Sequence, residues 1–326
     1  MVTAIEPLLR EQLIDRRQKL RTAASVFHRP LELTLLLEEV DAALHRMDLG
    51  TYGLCEVCHD PVESERLLEN PFARFCLGDL DDCQRRALEE DLELASQIQT
   101  GLLPSPSQKI DGWEVSYHYQ PAGAVSGDYC DVIRGEDESL HFVLGDVSGK
   151  GVAASILMAH LNAMFRTLIS INLPLEQVVE RASRVFAEST LPTGYATLVY
   201  GRANTSGEVE VCNAGHLPPL LVRDGKVTGI AATGLPIGVF NSESFSVNRV
   251  HLSKGDTLFL YTDGLSESLD GAGNEYGAER LSQLLNNNHS LSPDSLISLC
   301  RQELHTFAEG RVPRDDLTLM AIRRTS

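Results

Sequence analysis

The chain has 326 residues, 43% of them hydrophobic, with 46 acidic against 28 basic side chains and a formal net charge of −18. That length holds one large domain plus a small one, and the apolar fraction supports a real core. The acidic balance argues against direct nucleic-acid binding, which needs basic surface. No apolar run is expected to span a membrane and no signal-peptide pattern opens the chain, so a cytoplasmic protein without a membrane partner is expected.

Residues 6 to 49 read as two helices. Pro7 fits the first turn of one, and His28-Arg29-Pro30 marks a break before the next. In the second, Leu33, Leu37, Val40, Leu44 and Met47 recur at alternating steps of four and three, a coiled-coil seam or an amphipathic helix packed on its neighbour. A helical hairpin is predicted.

Cys55-Glu56-Val57-Cys58 follows, then Cys76 and Cys83. A Cys-x-x-Cys turn supplies two zinc ligands from one knuckle, and a second knuckle should supply two more. Asp79 stands where the last cysteine of that second knuckle would be, and Cys83 lies one helical turn further on. Either can close the tetrahedron; thiolate suits zinc better, which favours Cys55, Cys58, Cys76 and Cys83 around one zinc ion. A redox pair at Cys55 and Cys58 is the rival, but no thioredoxin-like strand pattern surrounds it.

A third helix is predicted from Leu80 to Leu103, with Leu88, Ala95, Ile98 and Leu102 on one side, ended by Pro104 and Pro106. The domain division is then 1–91 for hairpin and finger, 92–108 for linker helix and proline-rich break, and 109–326 for the large domain. Trp113, Val115, Tyr117 and Tyr119 alternate with polar residues as a half-buried strand, and Leu140, Phe142 and Leu144 repeat that period. Val152 to Leu168 reads as a buried helix carrying only Arg166 as a charge, and Leu175 to Phe186 has helical spacing. Strands are predicted at 195–200, 209–212, 220–222, 227–230, 257–261 and 317–322, with Asp224-Gly225 as a hairpin turn and 296–307 as a last helix. Strand pairs interrupted by two helical blocks do not make a βαβ series; they fit an α+β fold, an antiparallel sandwich covered by helices.

Acidic turns punctuate these strands: Asp128 in Val125-Ser126-Gly127-Asp128-Tyr129-Cys130-Asp131, Asp146 in Gly145-Asp146-Val147-Ser148-Gly149-Lys150-Gly151, Asp263 in Thr262-Asp263-Gly264, and Asp315-Asp316 before Leu317-Thr318. Hard divalent ions take oxygen ligands, and aspartates gathered without a cation would not all stay ionised. A shared binuclear cation site explains the set. A P-loop at Gly145 fails, because its spacing is one residue short and Gly151 replaces the hydroxyl.

In this order and spacing those turns, with Ala95-Ser96-Gln97-Ile98-Gln99, Leu102-Leu103-Pro104, Asn213-Ala214-Gly215-His216-Leu217-Pro218-Pro219 and Gly234-Leu235-Pro236-Ile237-Gly238, resemble the metal-dependent protein phosphatases of the PPM family, specifically the SpoIIE/RsbU-type serine phosphatases. The resemblance implies the antiparallel β-sandwich flanked by helices and two manganese or magnesium ions. It also implies that Asp146 bridges the ions with the Val147 carbonyl as a further ligand, and that Asp128, Asp263 and Asp315 complete the shells, with Asp316 as an adjacent candidate ligand. A water shared by the ions would attack phosphorus in line, without a phosphoenzyme. Asp131 is either a group behind the ligands or an exposed turn residue; His216 is either a general acid or structural. Ser148 and Lys150 occupy the turn where animal-type members carry a histidine, and no counterpart of their phosphate-holding arginine is found. Cys130, Cys212 and Cys300 read as core thiols.

By the same resemblance the partner is a phosphorylated protein, a STAS-type anti-anti-sigma factor in a partner-switching pathway, and the linker helix is either a solvated spacer or an element that transmits signals or mediates a homodimer. The stretch Asp41-Ala42-Ala43-Leu44 through Gly50-Thr51-Tyr52-Gly53-Leu54-Cys55 is similar to the DksA/TraR zinc-finger family, which acts on RNA polymerase. The hairpin tip near Phe27 to Leu31 lacks the paired acidic residues of the polymerase-acting members, so that fold is expected without that activity. Beside the phosphatase stand two alternatives: a catalytically silent module that holds a partner, and a transcription regulator working through the finger.

Overall fold

A computed structural model describes residues 2–26, 30–56, 59–79, 82–190, 194–239, 244–311 and 313–326. Its contacts divide the chain into two compact units, Met1–Asp91 and Leu92–Ser326.

In the first unit α1 (Val2–Val26) and α2 (Pro30–Asp48) lie antiparallel, as ion pairs from Arg10 to Asp48 and from Arg17 to Asp41 require. Leu9 and Leu13 bury against Val40, Ala43, Leu44 and Met47. The predicted seam is thus in place at Val40, Leu44 and Met47, with Leu37 half-buried; the side chain of Leu33 and the tip at 27–29 lie outside the described residues. Pro7, expected in the first turn, falls in the second because the helix already starts at Val2, and there it forfeits one intrahelical hydrogen bond. The same core takes in Tyr52, Cys55, Val62, Cys76 and, from α3 (Ser64–Glu69), Leu67. Helix α4 (Asp82–Leu102) crosses the division between the units.

The second unit holds two antiparallel sheets. One runs β1 (Ser107–Ile110), β2 (Trp113–Gln120), β11 (Leu317–Arg324), β10 (Thr257–Tyr261), β7 (Leu220–Arg223), β8 (Lys226–Gly229). The other runs β3 (Asp128–Arg134), β4 (Leu140–Val147), β5 (Ala196–Ala203), β6 (Glu208–Ala214), β9 (Asn248–His251). Their central strands are apolar on both faces because both faces are covered. Phe142 and Leu144 of β4 join Leu258 and Leu260 of β10 in the core between the sheets. Val143 faces the other way, under α5 (Gly151–Ile169) and α6 (Leu175–Ser189), with Leu161, Phe165 and Phe186. On the six-stranded sheet Phe259, Leu319 and Ala321 pack under α8 (Ala278–Asn287) and α9 (Pro293–Phe307). A short α7 (Asp263–Ser266) follows β10. The α+β sandwich is therefore the fold.

Asp224 and Gly225 have φ of 48° and 70°, the left-handed pair a tight hairpin turn demands between Arg223 and its partner Lys226. Contrary to the expectation that no run reaches membrane length, α5 is long and apolar enough by composition to do so. Here its apolar side lies on the five-stranded sheet, and its one charge, Arg166, makes a bidentate pair with Asp131 of β3 through Nε and Nη2, both at 2.8 Å.

Candidate active site

Asp128 and Asp146 are register partners on β3 and β4, so their side chains stand opposite each other on one face of the sheet. Like charges in that position repel. The approach depends on Gly127, where a Cβ would come within 3.1 Å of Ala154 Cβ and 3.2 Å of the Val147 carbonyl oxygen. After Val147 the chain turns into α5 through Gly149 and Gly151, with φ of 102° and 69°.

The opposite sheet brings the remaining acids. Thr262 closes β10 and pairs with Thr318 of β11: its N–H donates to Thr318 O at 3.0 Å, and Thr318 N–H donates to its hydroxyl at 2.9 Å. Both hydroxyls then donate to Asp128 Oδ2, at 3.0 and 2.5 Å, so the buried carboxylate ties the two sheets together. Asp263 is the first residue of α7. Asp315 accepts from Lys150 Nζ at 2.9 Å, and the same ammonium donates to Arg314 O at 2.9 Å, spanning from the turn before α5 to the loop before β11.

Neighbouring candidates separate clearly. Asp316 accepts the Ala122 and Gly127 N–H groups, one on each oxygen, both at 2.8 Å. It clamps the loop that carries Asp128 through both of its oxygens. Asp131 is neither behind the ligands nor in an exposed turn: it is fully buried in β3 and held by Arg166 and Asn162 of α5.

His216 is also settled. Its Nε2 faces the Tyr261 carbonyl at 3.2 Å, an oxygen that can only accept, so Nε2 carries the proton and Nδ1 accepts from the Thr197 hydroxyl at 2.8 Å. Burial pushes its pKa down to about 4. With both nitrogens engaged and the ring neutral, His216 is a strut between β5 and the end of β10.

Gln99 of α4 escaped the sequence entirely as a functional residue. Its amide donates to Ser126 O at 2.7 Å and accepts from Ser126 N–H at 2.9 Å, both buried, fixing the residue next to the Gly127 that Asp316 holds. The glutamine lies in the quoted motif at 95–99, but nothing local marks it.

The electrostatics follow from this crowding. Burial, and then Asp146, raises the Asp128 carboxyl well above the usual range. Burial, followed by Asp263, Asp315 and Asp316, pushes Asp146 up to about 7; burial, Asp315 and Glu267 push Asp263 up to about 6. Oxygen donors crowded until they resist ionising suit a hard divalent cation, which reverses every one of these shifts. Among the described residues no three acidic, histidine or cysteine side chains have already closed into a ligand sphere; Lys150 is the cation nearest to hand. Cys130, Cys212 and Cys300 are buried with raised pKa, Cys212 to about 11 and Cys300 to about 12, which leaves no thiolate to act as nucleophile.

In the first unit Cys55 and Cys76 share one buried core. A tight turn closes Cys55 N–H on Asp60 O at 2.8 Å, and Glu56 N–H on Arg74 O at 2.9 Å draws in the segment leading to Cys76. Cys58 and the side chains of Asp79 and Cys83 lie outside the described residues.

Comparison with known proteins agrees with this geometry. Residues 136–325 match the family described as Stage II sporulation protein E (SpoIIE). The chain belongs to the SpoIIE family. Residues 50–87 match the prokaryotic dksA/traR C4-type zinc finger, so a SpoIIE phosphatase-type domain follows a finger of that type. Among similar proteins, Protein IcfG of Synechocystis sp. is 26% identical over 263 residues, covering 72% of this chain and 41% of IcfG. Phosphoserine phosphatase RsbU of Bacillus subtilis is 24% identical over 254 residues, 74% of this chain and 72% of RsbU. The crystal structure of the RsbU and RsbW domains of Rv1364c from Mycobacterium tuberculosis superposes with a TM-score of 0.60 at 30% identity, over 69% of this chain and 63% of that one. The SpoIIE-family chain thus spans less than half of IcfG and under two thirds of the Rv1364c chain.

Proposed function

We propose that the protein is a metal-dependent phosphatase that hydrolyses phosphoserine or phosphothreonine in a partner protein. The observation that carries this is the cross-strand pair Asp128 and Asp146, crowded by Asp263 and Asp315 until Asp146 titrates near 7. Asp146, the Val147 carbonyl, Asp128, Asp263 and Asp315 are the oxygen donors that would hold two manganese or magnesium ions. Bound there, the ions supply Lewis acidity and a water acidic enough to attack phosphorus near neutral pH. The chain's own part is orientation: Thr262 and Thr318 both fix the Oδ2 oxygen of Asp128. Asp316 and Gln99 hold its loop. Lys150 is paired with Asp315 at 2.9 Å; were Asp315 to hold a metal ion, the ammonium would be left to attract the phosphoryl oxygens.

The likeness to a phosphoserine phosphatase, and to a chain that joins RsbU and RsbW domains, supports a STAS-type anti-anti-sigma protein as the substrate and a partner-switching pathway as the setting. Cys55, Cys58, Cys76 and Cys83 hold one zinc ion that stabilises the first unit, which regulates the second, through a homodimer of its helices or the linker helix. A partner-holding module without catalysis is the second reading, favoured by the Lys150–Asp315 pair that already neutralises one acid. The discriminating experiment is phosphate release from p-nitrophenyl phosphate and a phosphoserine peptide with manganese, magnesium or chelator. Turnover that needs the metal and is lost in Asp146→Asn is the expected result; no turnover with any metal refutes catalysis.

A further inference from the structure

Beside Asp315 lies a cavity of about 340 Å³ whose walls are α9 on one side and α7 with the chain after it on the other. Leu317 and its register partner Gln120 form the base. Arg301 and Leu304 lie three apart on one face of α9, and Arg311, Pro313 and Arg314 also line the cavity. Three arginines on one concavity stand out in a chain of net charge −18. Lys150 at the near end is matched by Asp315, but among the described residues the side chains of Arg301 and Arg314 have no hydrogen-bond or ion-pair partner. Arg311 is engaged already, donating to Asp270 O at 3.2 Å and pairing with Glu309 at 3.9 Å, which leaves Arg301 and Arg314 as the two open guanidinium groups. Apart from Asp315 the one carboxylate on the lining is Glu267.

We propose that this cavity receives carboxylate side chains flanking the phosphorylated residue, so that the protein selects phosphoserine set in acidic segments. The inference rests on the phosphatase reading. Guanidinium groups bind carboxylates in bidentate fashion, and a positive recess in a negative surface concentrates an acidic peptide at the site. The phosphoryl group itself is the poorer occupant. It has to sit over the aspartates, of which Asp315 alone lines the cavity, and the Leu304 and Leu317 surfaces offer it nothing, whereas they pack the methylene groups of a glutamate or aspartate.

The test uses the full chain with manganese and three substrates: p-nitrophenyl phosphate, a phosphoserine peptide with aspartate and glutamate flanks, and the same peptide with lysine flanks. The acidic peptide should have a kcat/KM roughly tenfold or more above the lysine peptide, the size of a lost charged hydrogen bond. Arg301→Ala should remove most of that preference without changing p-nitrophenyl phosphate turnover, and Arg301→Glu should reverse it. An unselective native protein, a preference untouched in Arg301→Ala, or an equal loss on p-nitrophenyl phosphate overturns the inference; the last result assigns the cavity to the phosphoryl group. If no substrate is hydrolysed, the phosphatase reading fails, and anisotropy of the labelled acidic peptide decides the cavity separately: tighter binding to the native chain than to Arg301→Ala upholds it, and equal binding overturns it.

Discussion

Replacing Asp146 by asparagine should stabilise the metal-free protein while abolishing its activity. Burial and the neighbouring Asp263, Asp315 and Asp316 move the Asp146 carboxyl from 3.8 to about 7. The folded pKa lies above the unfolded one, so the folded state holds the proton longer. Stability is therefore lost as pH rises from about 4 to about 7 and stays low above that window. The full displacement corresponds to on the order of 4 kcal/mol at about 1.4 kcal/mol per pH unit. Relaxation of the half-buried turn reduces the gain expected of Asp146→Asn at pH 8 to about 1–3 kcal/mol, or roughly 2–10 °C in Tm for a unit of this size. The assay is thermal unfolding of chelator-treated protein at pH 8 and pH 4, native against Asp146→Asn, repeated with manganese. The gap should be present at pH 8, closed at pH 4, and inverted by the metal, which stabilises whichever form binds it. A variant that melts at or below the native protein at pH 8 without metal would refute the view that these carboxylates are held against their mutual repulsion.

Gln99→Ala strips the buried Ser126 N–H and carbonyl of their partners, a loss of about 1–3 kcal/mol in a thermal melt. Metal-dependent phosphate release should fall further than stability does, because the loop bearing Asp128 loosens. Arg166→Met leaves Asp131 buried without its cation, though still held by Asn162 and the Val132 N–H, and should cost about 1–3 kcal/mol in urea unfolding. Adding Asp131→Asn should restore most of that loss. His216 is neutral above about pH 4, so the pH–rate profile should keep its shape in His216→Asn while the melting temperature drops. A limb near pH 6–7 that vanishes in that variant would return His216 to the chemistry.

The framework was legible where side chains alternate or turn chemistry is strict. Leu140, Phe142 and Leu144 read as strand by their alternation, although both faces of β4 prove covered rather than one, and Asp224-Gly225 reads as a hairpin because few other pairs adopt φ of 48° and 70°. Strands β1 and β9 were not predicted: Ser107–Ile110 and Asn248–His251 are short, polar, half-exposed edges without alternation. Helix α8 was also missed, although Leu281 and Leu285 at a helical spacing were there to find it. In the site, Asp128, Asp146 and Asp263 announced themselves through glycine-bearing turns, and Asp315-Asp316 as an acidic pair before a strand. Their division of labour did not, because Asp315 and Asp316 are sequence neighbours whose roles depend on which one meets the loop at 122–127. Gln99, Thr262 and Thr318 act through hydrogen bonds spanning 27, 134 and 190 residues, and no local pattern encodes those.

The same long-range contacts bear on catalysis against mere partner holding. A sandwich that only offered a docking face would gain nothing from opposing Asp128 and Asp146 across two strands and then fixing one of them with two buried hydroxyls. Those hydroxyls lower the Asp128 pKa, yet burial and Asp146 still outweigh them, so the anion is oriented without being made comfortable. Lys150 relieves Asp315 directly but acts on Asp146 only as the last and smallest influence. One ammonium therefore cannot neutralise the cluster, and what it leaves uncompensated is the quantity of negative charge that divalent cations would take up. Manganese added to zinc-loaded protein should accordingly raise the melting temperature more at pH 8 than at pH 5, and a chain used only as a docking module would show no such difference.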